Sequence, residues 1–543
     1  MNSLFRLMIP EMILATVACF LFLLGVSRKP SSRSLAALIA LLTLIVVFIW
    51  QLANPVSSAG MADDTNTIHL FSFGQYIKLL ASGVGILLVL LAWPSNRDAT
   101  GNAALNFGEE SGEFFALMLL SITGVFLVAG ANDIILLFLG IELASIPTYI
   151  MVSISRPLPV AQEAGVKYFF LGAMAAAIML FGFSYLYGTT GLTKISEISA
   201  LFHRSVGSVY PNNLPPILTT WQLLAVLMLL AGFAFKIAAV PLHFYAGDVY
   251  QGAATPVTAF LAFIPKTSGF VAIIKLLFMA GGGSFMLPET IIKTLWVIAA
   301  LTMTVGNVLG LLQFNVKRVL AYSSIAHSGY MLVGLTALIS ATSAAVQTEA
   351  LQGVLFYLAA YGIMNAGAFG VLTLLPARRA AVATSAETFE DLAGEGRKHP
   401  ALGLAMAVCC FSLTGLPLTI GFFGKLFLIK PALDVGTRSM NWLVVITMVN
   451  AAISAAYYLR IVGAMFLRDE PKQLPGEAPA GEIRANFSMP VLAAVILSVA
   501  GTLLFGIILP ATSRLTTRTT DAAATVDHIS PIQPAAETTA LAR

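Results

Sequence analysis

From Leu35 to Trp50 the chain reads LAALIALLTLIVVFIW, without one charged side chain. Stretches of this kind recur along the whole sequence. About twenty such residues in a helix cross the roughly 30 Å hydrocarbon core of a bilayer. Inside that core every backbone N–H and C=O must be bonded within the protein, which leaves helices or closed barrels. The alternating segments of a barrel are absent. The expected fold is therefore all-α: a polytopic membrane protein of about fourteen transmembrane helices. The spans read as 5–26, 35–52, 74–93, 113–130, 132–155, 161–187, 222–245, 254–280, 291–313, 318–341, 350–376, 400–433, 440–467 and 488–510. The first is too long for the apolar region of a signal peptide and lacks a basic leader and a clear cleavage site, so it reads as a retained helix.

Composition excludes several functions. Of 543 residues 58% are hydrophobic and 10% charged, against about 25% charged in soluble domains. A net charge of +4 leaves no basic patch for nucleic acid. Cys19, Cys409 and Cys410 lie in apolar stretches without CxxC or Cys/His spacing, so they read as small hydrophobes and no metal site is expected.

Basic residues in short loops set orientation. One set of loops holds Arg28, Lys29, Arg33, Arg97, Arg156, Lys317, Arg318, Arg378, Arg379, Arg397, Lys398, Arg468, Lys472 and Arg484. The opposite set holds few, such as Lys194, Arg204 and Arg438. The basic set is expected to face the cytoplasm, with both termini on the periplasmic side of a bacterial inner membrane.

The expected organisation is an N-terminal three-helix segment (1–112), two five-helix groups (113–280 and 291–468), a C-terminal helix (488–510) and a flexible tail (511–543). Five is odd, so the second group is inverted relative to the first. The fourth helix of each group is interrupted, by Pro241 in AAVPLHFY and by Gly415 and Pro417 in LTGLPLTIGFFGK. Paired broken helices in inverted repeats point to a transport site. The two are not superposable residue by residue, because Lys236 precedes its proline and Lys425 follows Pro417.

Six ionisable residues fall inside the spans: Glu142, Lys167, Lys236, Lys266, His327 and Lys425. A charge at the bilayer centre costs at least about 2.5–3.5 kcal/mol, so such groups must meet one another or a hydrated cavity. Glu142 and Lys236 lie at similar depth and are expected to pair, either as a static bridge between helices or as an element that opens and closes to move a proton. Lys266, in AFLAFIPKTSGFVAII, is mid-span and follows Pro265. The proline frees the carbonyl of Leu261; that group, with Thr267 and Ser268, is expected to hold water beside the lysine. Lys167 lies near a span end, where snorkelling is the alternative to function. His327, in VLAYSSIAHSGYML, reads as a satisfied core histidine or as a relay, since imidazole both accepts and donates. Lys425 sits in the half-helix after Pro417.

The remaining charges look ordinary. Lys78 and Lys275 are expected to snorkel, Glu11 to be interfacial, and Asp133 to cap a helix. GFFGKLF is no phosphate loop: Thr419 holds the first glycine position and Leu426 follows Lys425.

The stretch KIAAVPLHFYAGDVYQGAATPVTAFLAFIPK (236–266), with NDIILLFLGIELAS, VKRVLAYSSIAHSGYML, GLPLTIGFFGKLFL and AAYYLRIVGAMF, resembles the N-type antiporter-like membrane subunits of respiratory complex I, the proton-pumping NADH:quinone oxidoreductase. The resemblance covers roughly residues 100–470, with a weaker IPEMILA near the start. Pro265–Lys266 favours the N-type over its sister subunits. It implies a proton path in which Glu142, Lys236, Lys266 and Lys425 match the family's residues, with Lys167 and His327 in less decisive positions. It also implies that NADH, FMN, iron–sulfur clusters and quinone belong to partner subunits, with no cofactor on this chain. Tyr245, Gly247 and Ala254 depart from the family's frequent Trp, Pro and Pro, which bears on the loop after the break and not on the charged axis. A subunit of a multisubunit cation/proton antiporter and a structural scaffold subunit are the competing readings.

Overall fold

A computed structural model describes residues 2–27, 30–55, 61–62, 67–70, 72–94, 110–156, 158–207, 215–375, 377, 385–469 and 488–524. Among the described residues eleven helices are long and apolar enough to cross a membrane. They are α1 (Asn2–Gly25), α2 (Pro30–Ala53), α3 (Ser72–Leu91), α4 (Ser111–Gly130), α5 (Ile134–Ile154), α6 (Pro159–Thr190), α10 (Thr255–Ala280), α11 (Glu289–Leu311), α13 (Ala344–Leu374), α18 (Arg438–Leu467) and α19 (Met489–Ile507). The other expected spans are the polar or broken ones: α8 (Thr220–Lys236) with α9 (Tyr245–Gly252), α12 (Val316–Ser340), and α16 (Pro400–Thr414) with α17 (Ile420–Asp434). These three fall short of a continuous apolar span because they hold the prolines, hydroxyls and charges.

Two further helices depart from expectation. The connection before α8 contains α7 (Ile195–Gly207). The tail expected to be flexible from 511 is instead helical in its described part, α20 (Leu509–Ala524), which packs on α3 and α13. Thr512, Thr519, Ala522 and Ala523 are buried at helical spacing, with Leu515 between them half-buried, so one face of α20 is covered. Short α14 (Phe389–Leu392) and α15 (Glu395–Lys398) lead into α16. Arg28, Lys29, Arg97, Arg378, Arg379, Lys472 and Arg484 of the orientation argument lie outside the described residues, as does 525–543.

The centre of the bundle is α10, buried at every position but Pro256. It touches α4, α5, α8, α12 and α13, and so joins the two five-helix groups. Both breaks fall in the fourth crossing of their group. α8 stops at Lys236, five residues before Pro241, and Ala238 takes a left-handed φ of 56°. α16 stops at Thr414, where Gly415 adopts φ 91°, a conformation glycine tolerates without strain.

At one end a buried charge cluster ties the groups together. Glu387, in the segment before α14, binds Arg156 at the end of α5 and the Lys317 ammonium at 3.0 Å. Lys317 also donates to the carbonyls of Ala253 (2.6 Å) and Gln251 (3.1 Å), which close α9. Burial alone pushes the Glu387 carboxyl up, but Lys317 and Arg156 together hold it below the usual carboxylate range. A carboxyl lowered on folding stabilises above its unfolded value, and that contribution is lost as pH falls through the lowered one. Removing one partner of such a buried cluster costs about 3–5 kcal/mol. Glu387→Gln is therefore expected to lower the thermal unfolding midpoint of the detergent-solubilised protein at neutral pH. It should also flatten the loss of stability on acidification. Parallel pH profiles for variant and wild type would contradict this.

Candidate buried proton axis

The site begins on α5. Asp133 caps that helix, accepting from the backbone N–H groups of Ile135 (2.8 Å) and Leu136 (3.3 Å). Glu142 and Tyr149 lie seven residues apart on the helix, about two turns, and so share a face. The ammonium of Lys236, the last residue of α8, lies against that face. It donates to Glu142 Oε1 at 2.9 Å and to the Tyr149 hydroxyl at 3.3 Å. The side chains of Lys236 and Glu142 are 2% and 14% exposed, so the pair is held in the interior. The negative end of a helix favours a cation, which suits Lys236 to its place at the break. Tyr168 meets Tyr149 edge-on and stacks on Tyr245, whose hydroxyl donates to the carbonyl of Phe235 at 3.0 Å. Tyr245, one of the departures from the family pattern, thus braces the break.

Lys266 is buried in the middle of α10, with no carboxylate at contact distance among the described residues. It donates to the carbonyl of Ser324 (2.7 Å) and to the hydroxyls of Ser324 (2.6 Å) and Ser328 (3.0 Å) on α12. The expected partners on its own helix are turned elsewhere. Thr267 and Ser268 donate back to the carbonyls of Phe263 (2.9 Å) and Pro265 (2.7 Å). Short hydroxyl side chains in a helix reach their own backbone more readily than a neighbour's ammonium. The polar setting of Lys266 therefore comes from the facing helix.

His327, one turn beyond Ser324, bridges two tyrosines. Its Nδ1 is 2.6 Å from the Tyr357 hydroxyl and its Nε2 is 3.0 Å from that of Tyr458. A neutral imidazole donates from one nitrogen and accepts at the other, so a proton entering on one side can leave on the other. Tyr361 donates to Ser324 Oγ at 2.8 Å and lies against the His327 ring, which joins the Lys266 group to the histidine group. Ser323 is bonded to Tyr458. Lys425, on α17, donates to the carbonyl of Thr414 at the end of α16 (2.7 Å), and its ammonium lies 4.7 Å from the Tyr330 ring centre. Tyr330 in turn meets the His327 ring edge-on. Five of the six sequence-chosen residues are thus brought into one buried series across α5, α8, α10, α12 and α17.

Lys167 is not part of that series. Its side chain is 44% exposed and pairs with Glu163 (2.7 Å) and with Asp248 of α9 (3.3 Å), which also receives Arg318 at 2.8 Å. Other residues were misplaced by sequence reasoning. Lys78 is buried and pairs with Glu11 at 2.5 Å, and buried Lys275 donates to the carbonyl of Ala131 at 2.5 Å. Snorkelling needs a free path to the interface, and α3 and α10 are covered by other helices at those positions. Tyr357, Tyr361 and Tyr458 were not singled out. Their signal was present in tyrosines spaced four apart in VLFYLAAYGIM and paired in AAYYLRI, within otherwise apolar spans.

Comparison with known proteins bears on the family and the fold. Residues 131–454 match the family described as "NADH:quinone oxidoreductase/Mrp antiporter, TM". NADH-quinone oxidoreductase subunit N of Trichlorobacter lovleyi is 36% identical over 507 residues, covering 93% of this chain and 94% of its own. A chain of respiratory complex I from Thermus thermophilus, solved with bound aureothin, superposes with a TM-score of 0.68 at 31% identity, covering 92% of this chain and 98% of its own. A chain of the Mrp complex from Dietzia sp. DQ12-45-1b has the same fold, with a TM-score of 0.76 at 21% identity over 96% of this chain and 99% of its own. The match across more than half of the sequence, and the whole-length relatives beside it, place the chain in the NADH:quinone oxidoreductase/Mrp antiporter transmembrane family.

Proposed function

We propose that this chain is the N-type proton-translocating membrane subunit of NADH:quinone oxidoreductase, and that Glu142, Lys236, Lys266, His327 and Lys425 carry its proton path. The observation that supports this most directly is the buried series itself. Five ionisable groups and their tyrosine and serine partners run between two broken helices in the interior of the bundle. With Glu142 beside it, the Lys236 charge is balanced. Separation of the pair leaves an uncompensated charge, costing at least about 2.5–3.5 kcal/mol at that depth, and transfer of the proton onward removes it. Lys266, His327 between its tyrosines, and Lys425 form the onward sites. Lys167, with Asp248, has a lesser place at the rim.

In this reading NADH, FMN, the iron–sulfur clusters and quinone reside on partner subunits, and electron transfer there drives the charges here. The partners are the other antiporter-like and small membrane subunits of the complex and, through them, its peripheral redox arm. The chain sits in a bacterial inner membrane with both termini on the periplasmic side, as the basic loops suggest. Inverted five-helix repeats at 113–280 and 291–468 supply the two broken helices.

Purification of the native complex tests the assignment. Co-purifying flavin and iron–sulfur subunits are expected; companions limited to antiporter subunits would replace it with the cation/proton antiporter reading. For the site, Lys236→Ala and Glu142→Ala are each expected to lower NADH-driven proton uptake into inverted membrane vesicles by at least about tenfold, with the complex still assembled. Wild-type uptake in either variant would remove the pair from the path. Lys167→Ala, which breaks only exposed pairs, is expected to keep uptake within about twofold of wild type in the same assay.

A further inference from the structure

We propose that Ser328 is a positioning residue that couples Lys266 to the helix break beside Lys236; this rests on the proton-path reading above. α8 ends at Lys236, and Ala238 turns the chain out of the helix at a left-handed φ of 56°. The carbonyl of Ile237, the residue after Lys236, therefore has no helical N–H beyond it to accept from. The Ser328 hydroxyl, fully buried on α12, donates to it at 2.8 Å and so stands in for the missing N–H.

The same hydroxyl faces Lys266, whose ammonium donates to Ser328 Oγ at 3.0 Å. A serine has one proton to donate, and Ser328 has a second acceptor within reach, the carbonyl of Ser324 at 3.1 Å. The Lys266 ammonium also donates to that carbonyl, at 2.7 Å, which makes it a poorer acceptor for Ser328 and leaves Ile237, at 2.8 Å, favoured. When Lys266 passes its proton onward, its neutral amine and the freed Ser324 carbonyl both compete for the Ser328 proton and the Ile237 carbonyl loses its hold. Ser328 itself neither gains nor loses a proton.

The backbone at this point is suited to respond. Ala238 holds a left-handed φ of 56°, a conformation non-glycine residues keep only when their surroundings impose it. A second hold on the segment is the Thr302 hydroxyl, which accepts from the Val240 N–H at 3.0 Å. Gly269 of α10 lets the helix approach so closely that an added Cβ would lie 2.7 Å from Ile237 Cγ2 and 3.2 Å from Lys236 Cβ. A shift at Ile237 is thus passed to the Lys236 side chain, and from there to its contact with Glu142.

The test uses the assembled complex in inverted membrane vesicles, reading proton uptake and NADH oxidation together for Ser328→Ala, Lys266→Ala and the double variant. Ser328→Ala is expected to lower protons moved per NADH about two- to tenfold. The double variant should match Lys266→Ala alone, because Ser328 acts through that lysine. A merely structural serine would add its own loss in the double variant, and that additivity overturns the proposal. So does wild-type uptake in Ser328→Ala when Lys266→Ala is impaired. Wild-type uptake in Lys266→Ala would overturn the proton-path reading and this coupling with it. Should alanine prevent assembly, Ser328→Cys, of similar size and with a weak donor, carries the same comparison.

Discussion

A lysine ammonium deep in a bilayer must be met by something polar, and the arrangement of this bundle follows from meeting three of them. Lys236 is met by a carboxylate and a phenol. Lys266 is met by a carbonyl and two serine hydroxyls. Lys425 is met by a carbonyl at the end of a half-helix and the face of a tyrosine ring. Of these three, only Lys236 has an anion at contact distance among the described residues. The three are therefore unequal stations: one held by charge, two held by dipoles.

The two broken helices serve lysines from opposite sides of the break. In the first, Lys236 closes the leading half-helix. In the second, Lys425 lies in the trailing half and reaches back to the Thr414 carbonyl that closes the leading one. In both, the lysine is placed by the end of a helix, where the unpaired carbonyls and the dipole favour a cation. Two breaks that do not align residue by residue thus hold a lysine in comparable ways. α10 and α12 lie between the breaks and supply Lys266, the serines and His327, so the centre of the axis is built from unbroken helices packed across the two groups.

Charge outside the axis has a different character. The Arg156–Glu387–Lys317 cluster fixes the end of α9 to the second group and keeps the first break anchored at one end. Lys78 with Glu11 ties α3 to α1, and Lys275 ties α10 to the carbonyl of Ala131 between α4 and α5. Such buried pairs add little net stability compared with apolar packing, but losing one partner is costly.

Much of this was fixed by the order of the residues alone. Apolar length dictated the spans, because a backbone in lipid has no other way to bond its own groups. Pro241, Gly415 and Pro417 dictated the breaks, because a proline has no N–H and a left-handed turn suits glycine. The cost of charge in lipid marked five residues of the axis, and similar depth in neighbouring helices identified the Glu142–Lys236 pair. What the sequence could not decide was which side chains face one another across helices, since that depends on helix rotation and on which helices end up inside. That choice put serines of α12, and not Thr267 and Ser268, around Lys266. It buried Lys78 and Lys275, left Lys167 at the rim, set His327 between two unsuspected tyrosines, and turned Ser328 toward the Ile237 carbonyl at the first break.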